Sequence, residues 1–310
     1  MTFSTSSQTA GRTVAVSLVQ MNSGADKDAN IAAALEAIDE AAEAGARLVV
    51  LPEVWTYLGP DSGNAEAAET IPGPLSRVLA ERARQHSIYL HIGSMFERIE
   101  DDYRISNTSL VFDPEGEMIA QYRKIHLFDV DLEADSSYKE SATIAAGDEI
   151  VTFELDGTKV GLAICYDLRF PEIFRILALE GAEVVILPAA FTLATGKDHW
   201  EILIRARAIE NGIFMVATGQ VGKHPPGLSC YGRSMVVDPW GLVIAQAPDR
   251  PATLHATIEM DDVARVRRQI PSLANRQPQH YRWPDETLTG SRQGDRTIGN
   301  DLFGIGSSIS

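Results

Sequence analysis

Residues Val160-Gly161-Leu162-Ala163-Ile164 form a short apolar run with a β-branched residue at each end, the pattern of a buried strand. The run stops at Cys165. Asp167 and Pro171 follow, and then Ile173-Phe174-Arg175-Ile176-Leu177-Ala178-Leu179, whose apolar spacing suits a helix. Proline fits a first helical turn, where its missing N–H is not needed. The stretch therefore predicts a strand-to-helix elbow with Cys165 on it. A side chain held there projects from the end of a sheet, where open α/β folds place their chemistry. Nearby N–H groups, that of Tyr166 among them, can face an anion. The elbow alone does not make a nucleophile, because most free cysteines are buried and inert.

The rest of the chain continues the α/β pattern. Thr13–Gln20 and Arg47–Leu51 read as strands on either side of an Ala-rich helix over Asp28–Ala44, which Gly45 stops. That is a βαβ unit with a parallel pair. Pro74–His86 reads as a helix, and Ile88–Ser94 as the strand after it. Asn107–Phe112 and Met118–Lys124 flank the turn Asp113-Pro114-Glu115-Gly116 and make a hairpin. The segment Ser109–Gln121 aligns without a gap on Ser234–Gln246, with its turn Asp238-Pro239-Trp240-Gly241. Either two halves carry equivalent hairpins, or two unrelated hairpins share turn chemistry. Further strands are expected at Glu183–Pro188, Ile213–Gly219 and Arg233–Val237, and helices near Lys197–Asn211 and Asp261–Gln269. The expected organisation is a flexible lead at 1–12, one domain at 13–283, and a polar Gly/Ser-containing tail at 284–310.

Composition excludes several partners. A net charge of -16 disfavours a nucleic-acid groove or an anionic membrane surface. The N-terminus lacks the apolar core of a signal peptide, and no run is long enough to span a bilayer. Two cysteines, Cys165 and Cys230, make no disulfide framework in 310 residues. A cytoplasmic protein is expected.

Three of the strands end in a reactive group: Arg47–Leu51 in Glu53, Met118–Arg123 in Lys124, and Val160–Ile164 in Cys165. If those ends lie along one side of a sheet, a carboxylate, an ammonium and a thiol converge. Such a set suits acyl transfer. A thiolate attacks, a cation stabilises it, and a carboxylate carries the proton. The ammonium can face the oxyanion together with the Tyr166 N–H. His126 lies two residues from Lys124, so in a strand it would share its face, and it reads as a supporting or core histidine rather than a base. No histidine-based metal spacing or papain-type signature is present.

These residues resemble the nitrilase superfamily of carbon–nitrogen hydrolases. The resemblance rests on Leu51-Pro52-Glu53, Tyr122-Arg123-Lys124-Ile125-His126-Leu127 and Cys165-Tyr166-Asp167-Leu168-Arg169-Phe170-Pro171-Glu172. It continues through His199-Trp200-Glu201, Arg205–Asn211 and Tyr231–Gly241, in one order from 13 to about 283. It implies an α-β-β-α four-layer sandwich, usually dimerised into eight layers, and a Glu53, Lys124, Cys165 triad. It adds Glu140, in Tyr138-Lys139-Glu140-Ser141, as a second glutamate orienting Lys124 or the attacking water. Neither a metal nor an organic cofactor is implied. Tyr166-Asp167 after the nucleophile, in place of the Trp-Glu of true nitrilases, is similar to the amidase branches. The segment from Phe191 to Gly241 is most similar to the deaminated-glutathione amidase and omega-amidase group.

The expected reaction is thus ammonia release from a small carboxylate-bearing amide, with water as co-substrate. A nitrile or carbamoyl-amide hydrolase on the same triad, or a non-catalytic binding member, is the alternative. Phe191–Gly196 should border the pocket, with Gly222–Gly227 a further contributor. Tyr166, Arg169 and Phe191 are the candidate substrate-binding residues, with Lys223 and Arg233 as further cations. Arg169 is either a carboxylate anchor or the structural partner of Asp167 or Glu172. A homodimer is expected through the helix after Cys165 and the helix His199–Asn211. The latter's Trp200, Ile202, Leu203 and Ile204 fill more than one face.

Overall fold

The computed structural model describes residues 11–100, 102–132 and 136–281. The lead at 1–12 and the tail at 284–310 lie outside the described residues, apart from Gly11 and Arg12. The described residues through Leu273 form one compact unit. Those from Ala274 on form a second, whose described part carries a single 3₁₀ turn, Pro278–His280.

Two large sheets dominate the first unit. In spatial order, one runs Ala252–Glu259, Thr13–Gln20, Leu48–Val50, Tyr89–His91, Ile105–Phe112 and Met95–Arg98. Met118–Arg123 pairs with the other edge of Ile105–Phe112. The second sheet runs Val243–Gln246, Met235–Val237, Phe214–Gly219, Val184–Ala189, Thr158–Leu162 and Thr152–Leu155.

Alternation along the strands sets the layers. In the first sheet Val16, Leu18, Leu48 and Val50 share one core with Leu162, Val184 and Ile186 of the second sheet. Their neighbours Val19, Val49 and Leu51 point the other way. There they pack with Ala34, Ile38 and Ala41 of the helix Lys27–Glu43 and with Leu75, Leu79 and Ala83 of the helix Pro74–His86. The helices Pro171–Leu179 and Leu193–Asn211 bury Ile173, Phe174, Trp200 and Ile204 in the core of the second sheet. The result is the expected α-β-β-α sandwich.

The two sheets repeat one connection scheme. In the first, Thr13–Gln20, Leu48–Val50 and Tyr89–His91 are parallel, joined through helices, and lead to the antiparallel hairpin at Ile105–Arg123. In the second, Thr158–Leu162, Val184–Ala189 and Phe214–Gly219 are parallel, joined through helices, and lead to the hairpin Met235–Gln246. The turns also match bond for bond. Asp113 Oδ1 accepts from the N–H groups of Glu115 (3.0 Å) and Glu117 (2.8 Å). Asp238 Oδ1 accepts from those of Trp240 (2.9 Å) and Leu242 (2.8 Å). Gly116 and Gly241 take φ of 80° and 90°. The equivalent-halves reading of the hairpins is the one the fold adopts.

The helix predicted from Lys197 begins four residues earlier, at Leu193. Gly196 argued for a loop there. It is in fact a packing glycine, since a Cβ would lie 2.4 Å from Tyr231 Cβ. On the same helix Ile202 and Ile209 stay exposed, as do Ile176 and Leu179 on the helix after Cys165 and Trp240 and Leu242 on the second hairpin. Among the described residues, no helix is long and apolar enough to cross a membrane.

Candidate active site

Cys165 sits on the elbow that the sequence predicts. The strand ends at Leu162, a 3₁₀ turn spans Cys165–Arg169, and Pro171 opens the helix. Cys165 itself has φ 45°, the left-handed region that L-residues avoid. Such a conformation costs about 1–3 kcal/mol and persists only where its surroundings enforce it. Here the enforcement is the Asp167 carboxylate, which is fully buried. Its Oδ2 accepts from the Ile164 N–H (2.8 Å) and the Tyr122 hydroxyl (2.6 Å). Its Oδ1 accepts from the His126 N–H (3.1 Å) and lies 2.7 Å from His126 Nδ1. At the other end of the turn, Arg207 donates through Nε (3.1 Å) and Nη2 (2.8 Å) to the Leu168 carbonyl. His126 stacks on Phe170, with ring centroids 3.6 Å apart. It is a supporting residue as expected, although it lies in a bend past the strand end at Arg123 rather than on a strand face with Lys124.

Glu53, Lys124 and Cys165 do converge, but not along one sheet. Glu53 and Lys124 follow strands of the first sheet, whereas Cys165 follows a strand of the second. The face-to-face packing of the sheets brings their ends together. Lys124 Nζ lies 3.0 Å from Glu53 Oε1 and 3.1 and 3.0 Å from the Glu140 oxygens. Glu53 Oε1 also accepts from Asn107 Nδ2 (2.9 Å), and its Oε2 accepts from the Ala190 N–H (2.6 Å). Glu140 Oε2 accepts from the Phe128 N–H (2.6 Å). Lys124 is 2% exposed and Glu53 4%.

Electrostatics decide which protons these groups carry. Burial works against the Lys124 ammonium, but the charges of Glu140 and Glu53 outweigh it and hold its pKa well above the ordinary lysine value. Burial pushes the Cys165 thiol well up, and the charge of Glu53 pushes it further. Lys124 and the Ala190 N–H pull it down by less. Burial and the Glu53 charge thus favour the thiol over the thiolate expected beside a free cation. The Lys124 charge is already committed to two carboxylates.

The Glu53 backbone is clamped from both sheets. The Ser94 N–H donates to the Pro52 carbonyl (3.1 Å), and Ser94 Oγ accepts from the Val54 N–H (3.0 Å). Gln220 Nε2 reaches across to the Glu53 carbonyl at 3.1 Å. Gly93, with φ 66°, passes so close that a Cβ would lie 2.0 Å from the Pro52 oxygen. Its N–H donates to His91 Nδ1 at 3.0 Å. That acceptor role needs a neutral imidazole, and burial pushes the His91 pKa down to about 3.

A cavity of about 310 Å³ opens over Cys165, lined by Glu53, Asn107, Lys124, Glu140 and the three candidate binding residues Tyr166, Arg169 and Phe191. Thr192 and Thr195 border it as expected. Phe128 meets the Tyr166 ring edge-on at 5.1 Å and forms an aromatic wall. The Arg169 guanidinium lies 5.2 Å from the Phe191 ring centre, and its Nη1 is 3.3 Å from His199 Nδ1. Asp167, one suggested partner for Arg169, spends its oxygens on Tyr122, His126 and Ile164 instead. Lys223 and Arg233 do not line the cavity. Arg233 Nη2 donates to Asp249 at 2.7 Å, and Lys223 is exposed on the ribbon strand Val221–His224. Of Gly222–Gly227 none lines it either, although the next residue, Leu228, does. Asn107 and Asp167 were not singled out as functional in the sequence, because a polar residue in a strand or turn carries no signal until its partners are known. Among the described residues, no cluster of His, Cys, Asp and Glu is arranged to hold a metal ion.

Residues 15–268 match the model of the carbon–nitrogen hydrolase family. The chain is 38% identical to the omega-amidase NIT2 of Mus musculus, over 87% of this chain and 97% of that one. It is 39% identical to a deaminated glutathione amidase of Synechocystis, over 83% and 96%. The structure superposes with a TM-score of 0.79 on Saccharomyces cerevisiae Nit3, a nitrilase-superfamily member, at 30% identity over 87% and 97% of the two chains. The fold, the converging side chains and these likenesses agree, and the chain belongs to the carbon–nitrogen hydrolase family within the nitrilase superfamily.

Proposed function

We propose that this amidase-type hydrolase releases ammonia from a small amide whose acyl part bears a carboxylate, through a thioester on Cys165. The observation that carries the reading is the placing of Lys124 Nζ, 3.0 Å from both Glu53 and Glu140, in the cavity that holds the thiol. Glu53 takes the thiol proton as sulfur attacks the amide carbon. The oxyanion faces the Lys124 ammonium and the Tyr166 N–H. Glu53 then passes the proton to the departing nitrogen. In the second half, Glu53 activates water, which hydrolyses the thioester. Glu140 keeps the ammonium in place by holding its far side. The names of the relatives support the amide as substrate, and the arginine beside the cavity supports the carboxylate. An assay of ammonia release across amides, nitriles and carbamoyl compounds tests the reading. Activity confined to amides is expected, and a preference for nitriles or carbamoyl compounds would overturn it.

Arg169 is proposed as the carboxylate anchor, since a guanidinium offers a carboxylate two parallel donors. Arg169→Gln is expected to raise KM for carboxylated amides by about 10- to 100-fold, the worth of a charge-assisted contact. Neutral amides should be spared. An equal loss for both classes, with a lower Tm, would show a structural role instead.

A second copy of the chain is proposed to cover the exposed Ile176, Leu179, Ile202 and Ile209. These lie on the two helices for which an interface is expected, and exposed apolar faces favour burial against a partner. Light scattering at micromolar concentration should give twice the chain mass. A monomer at that concentration would contradict the proposal.

A further inference from the structure

Asn107 is 1% exposed and lies on Ile105–Phe112 beside Lys124, whose N–H donates to the Asn107 carbonyl at 2.9 Å. Its Nδ2 donates to Glu53 Oε1 at 2.9 Å, the same oxygen that accepts from Lys124. That contact fixes which way the side-chain amide faces. Turned over, it would set its own oxygen against a carboxylate oxygen, two acceptors facing each other. Asn107 Oδ1 is thereby held in one place. It is buried and has no hydrogen-bond partner among the described residues. Asn107 is one of the residues that line the cavity with Glu53, Lys124 and Cys165. An acceptor buried without a donor is costly, and in a residue that borders a cavity a bound molecule can supply the missing donor.

We infer that Asn107 Oδ1 accepts an N–H of the substrate's carboxamide, and that this contact selects primary amides over esters of the same acyl group. The inference rests on the amide hydrolysis through Cys165 proposed above. A primary amide carries two N–H bonds on the atom that leaves. One directed at Asn107 Oδ1 places that nitrogen beside Glu53, which is bonded to the other end of the Asn107 amide. In acylation the thiol proton moves to Glu53, and the sulfur electron pair forms the C–S bond. The C–N bond then breaks with its pair going to nitrogen. Nitrogen takes the proton from Glu53 and departs as ammonia, leaving Glu53 ionised again. An ester offers an oxygen with no hydrogen at the same point, so the Asn107 oxygen stays unsatisfied while the rest of the chemistry is unchanged. Sites built to bond a substrate N–H or O–H discriminate strongly for this reason.

The test compares kcat/KM for the primary amide and the methyl ester of one acyl group. This parameter reports transition-state stabilisation from free enzyme and substrate, and acylation is the step in which the two substrates differ. Relative to wild type, Asn107→Ala should lower the amide-to-ester ratio at least about tenfold, a typical cost of one lost contact to a buried acceptor. Asn107→Leu, close to asparagine in volume and without polar atoms, should do the same. Both ratios are internal to one preparation, so loss of folded enzyme cancels. Asn107→Asp can share a proton with Glu53 and keep an acceptor oxygen in place. It should preserve the ratio within about threefold while both rates fall. Equal losses for amide and ester in the Ala and Leu variants would overturn the inference and leave Asn107 as a support for Glu53 alone. Intact mass of the wild type quenched during turnover separates this failure from a deeper one. An acyl adduct on Cys165 with an unchanged ratio sinks only the Asn107 contact. Turnover with no adduct sinks the thioester mechanism and the inference with it.

Discussion

Replacing Cys165 with alanine is expected to abolish turnover, by at least about 10⁴-fold, with the fold intact. Cys165 is the one thiol in the cavity that Glu53 can reach. The substitution removes only the sulfur. The Asp167 carboxylate still holds the turn through the Ile164 N–H, Tyr122 and His126, and alanine meets the same left-handed penalty as cysteine. In the wild type, peptide mapping of enzyme quenched during turnover should place the acyl group on the peptide containing Cys165. Cys230 is the internal control. It is buried, and burial together with the charge of Glu53 pushes its thiol well up. An adduct on Cys230, or residual activity within about a hundredfold of wild type in Cys165→Ala, would refute the assignment.

Lys124→Ala should be the next most damaging change. Removing one oxyanion donor commonly costs about 10²–10³ in rate, and in the proposed mechanism Lys124 does more than donate. Its ammonium is shared by Glu53 and Glu140, each 3.0 Å from Nζ. Without it both carboxylates lose the cation they share, and Glu53 loses one of the groups that hold it in place. Breaking a buried ion pair from one side also costs about 3–5 kcal/mol of stability, so Tm should fall with activity. Lys124→Arg should not rescue, because a planar fork cannot replace a compact ammonium between two carboxylates. Activity of Lys124→Ala within about tenfold of wild type, roughly 1.4 kcal/mol, would contradict the role.

The reactive side chains were legible because strand ends are legible. Segments that read as strands and end just before Glu53, Lys124 and Cys165 mark the same end of three strands, whichever sheet holds them. What the runs could not supply was the assignment to sheets. Val160–Ile164 reads like Arg47–Leu51, and nothing local tells that they face each other. Asp167 shows the same limit. Two residues from a cysteine at a strand end, an aspartate has many possible duties. Its duty here is set by Tyr122 and His126, forty or more positions away in sequence and on the opposite sheet's side of the core. Short strands such as Met95–Arg98 and Thr152–Leu155 were missed because each takes its place from a neighbour's exposed edge rather than from its own composition. The helix start at Leu193 was missed because Gly196 breaks helices on average, and only the Tyr231 ring above it explains the exception. The repeated hairpin was visible as a thirteen-residue alignment, yet its meaning needed both sheets.

The strand that closes the first sheet has a bearing on when chemistry can begin. Ala252–Glu259 pairs along its whole length with Thr13–Gln20, almost at the other end of the chain. During synthesis Glu53 and Lys124 emerge first and Cys165 later, and the edge partner of the first strand emerges after all of them. Joining ends so distant carries a loop-closure cost and slows the step, as non-local pairings do. A growing chain thus carries Glu53, Lys124 and Cys165 well before the edge partner of Thr13–Gln20 exists, and its first described strand waits for the last.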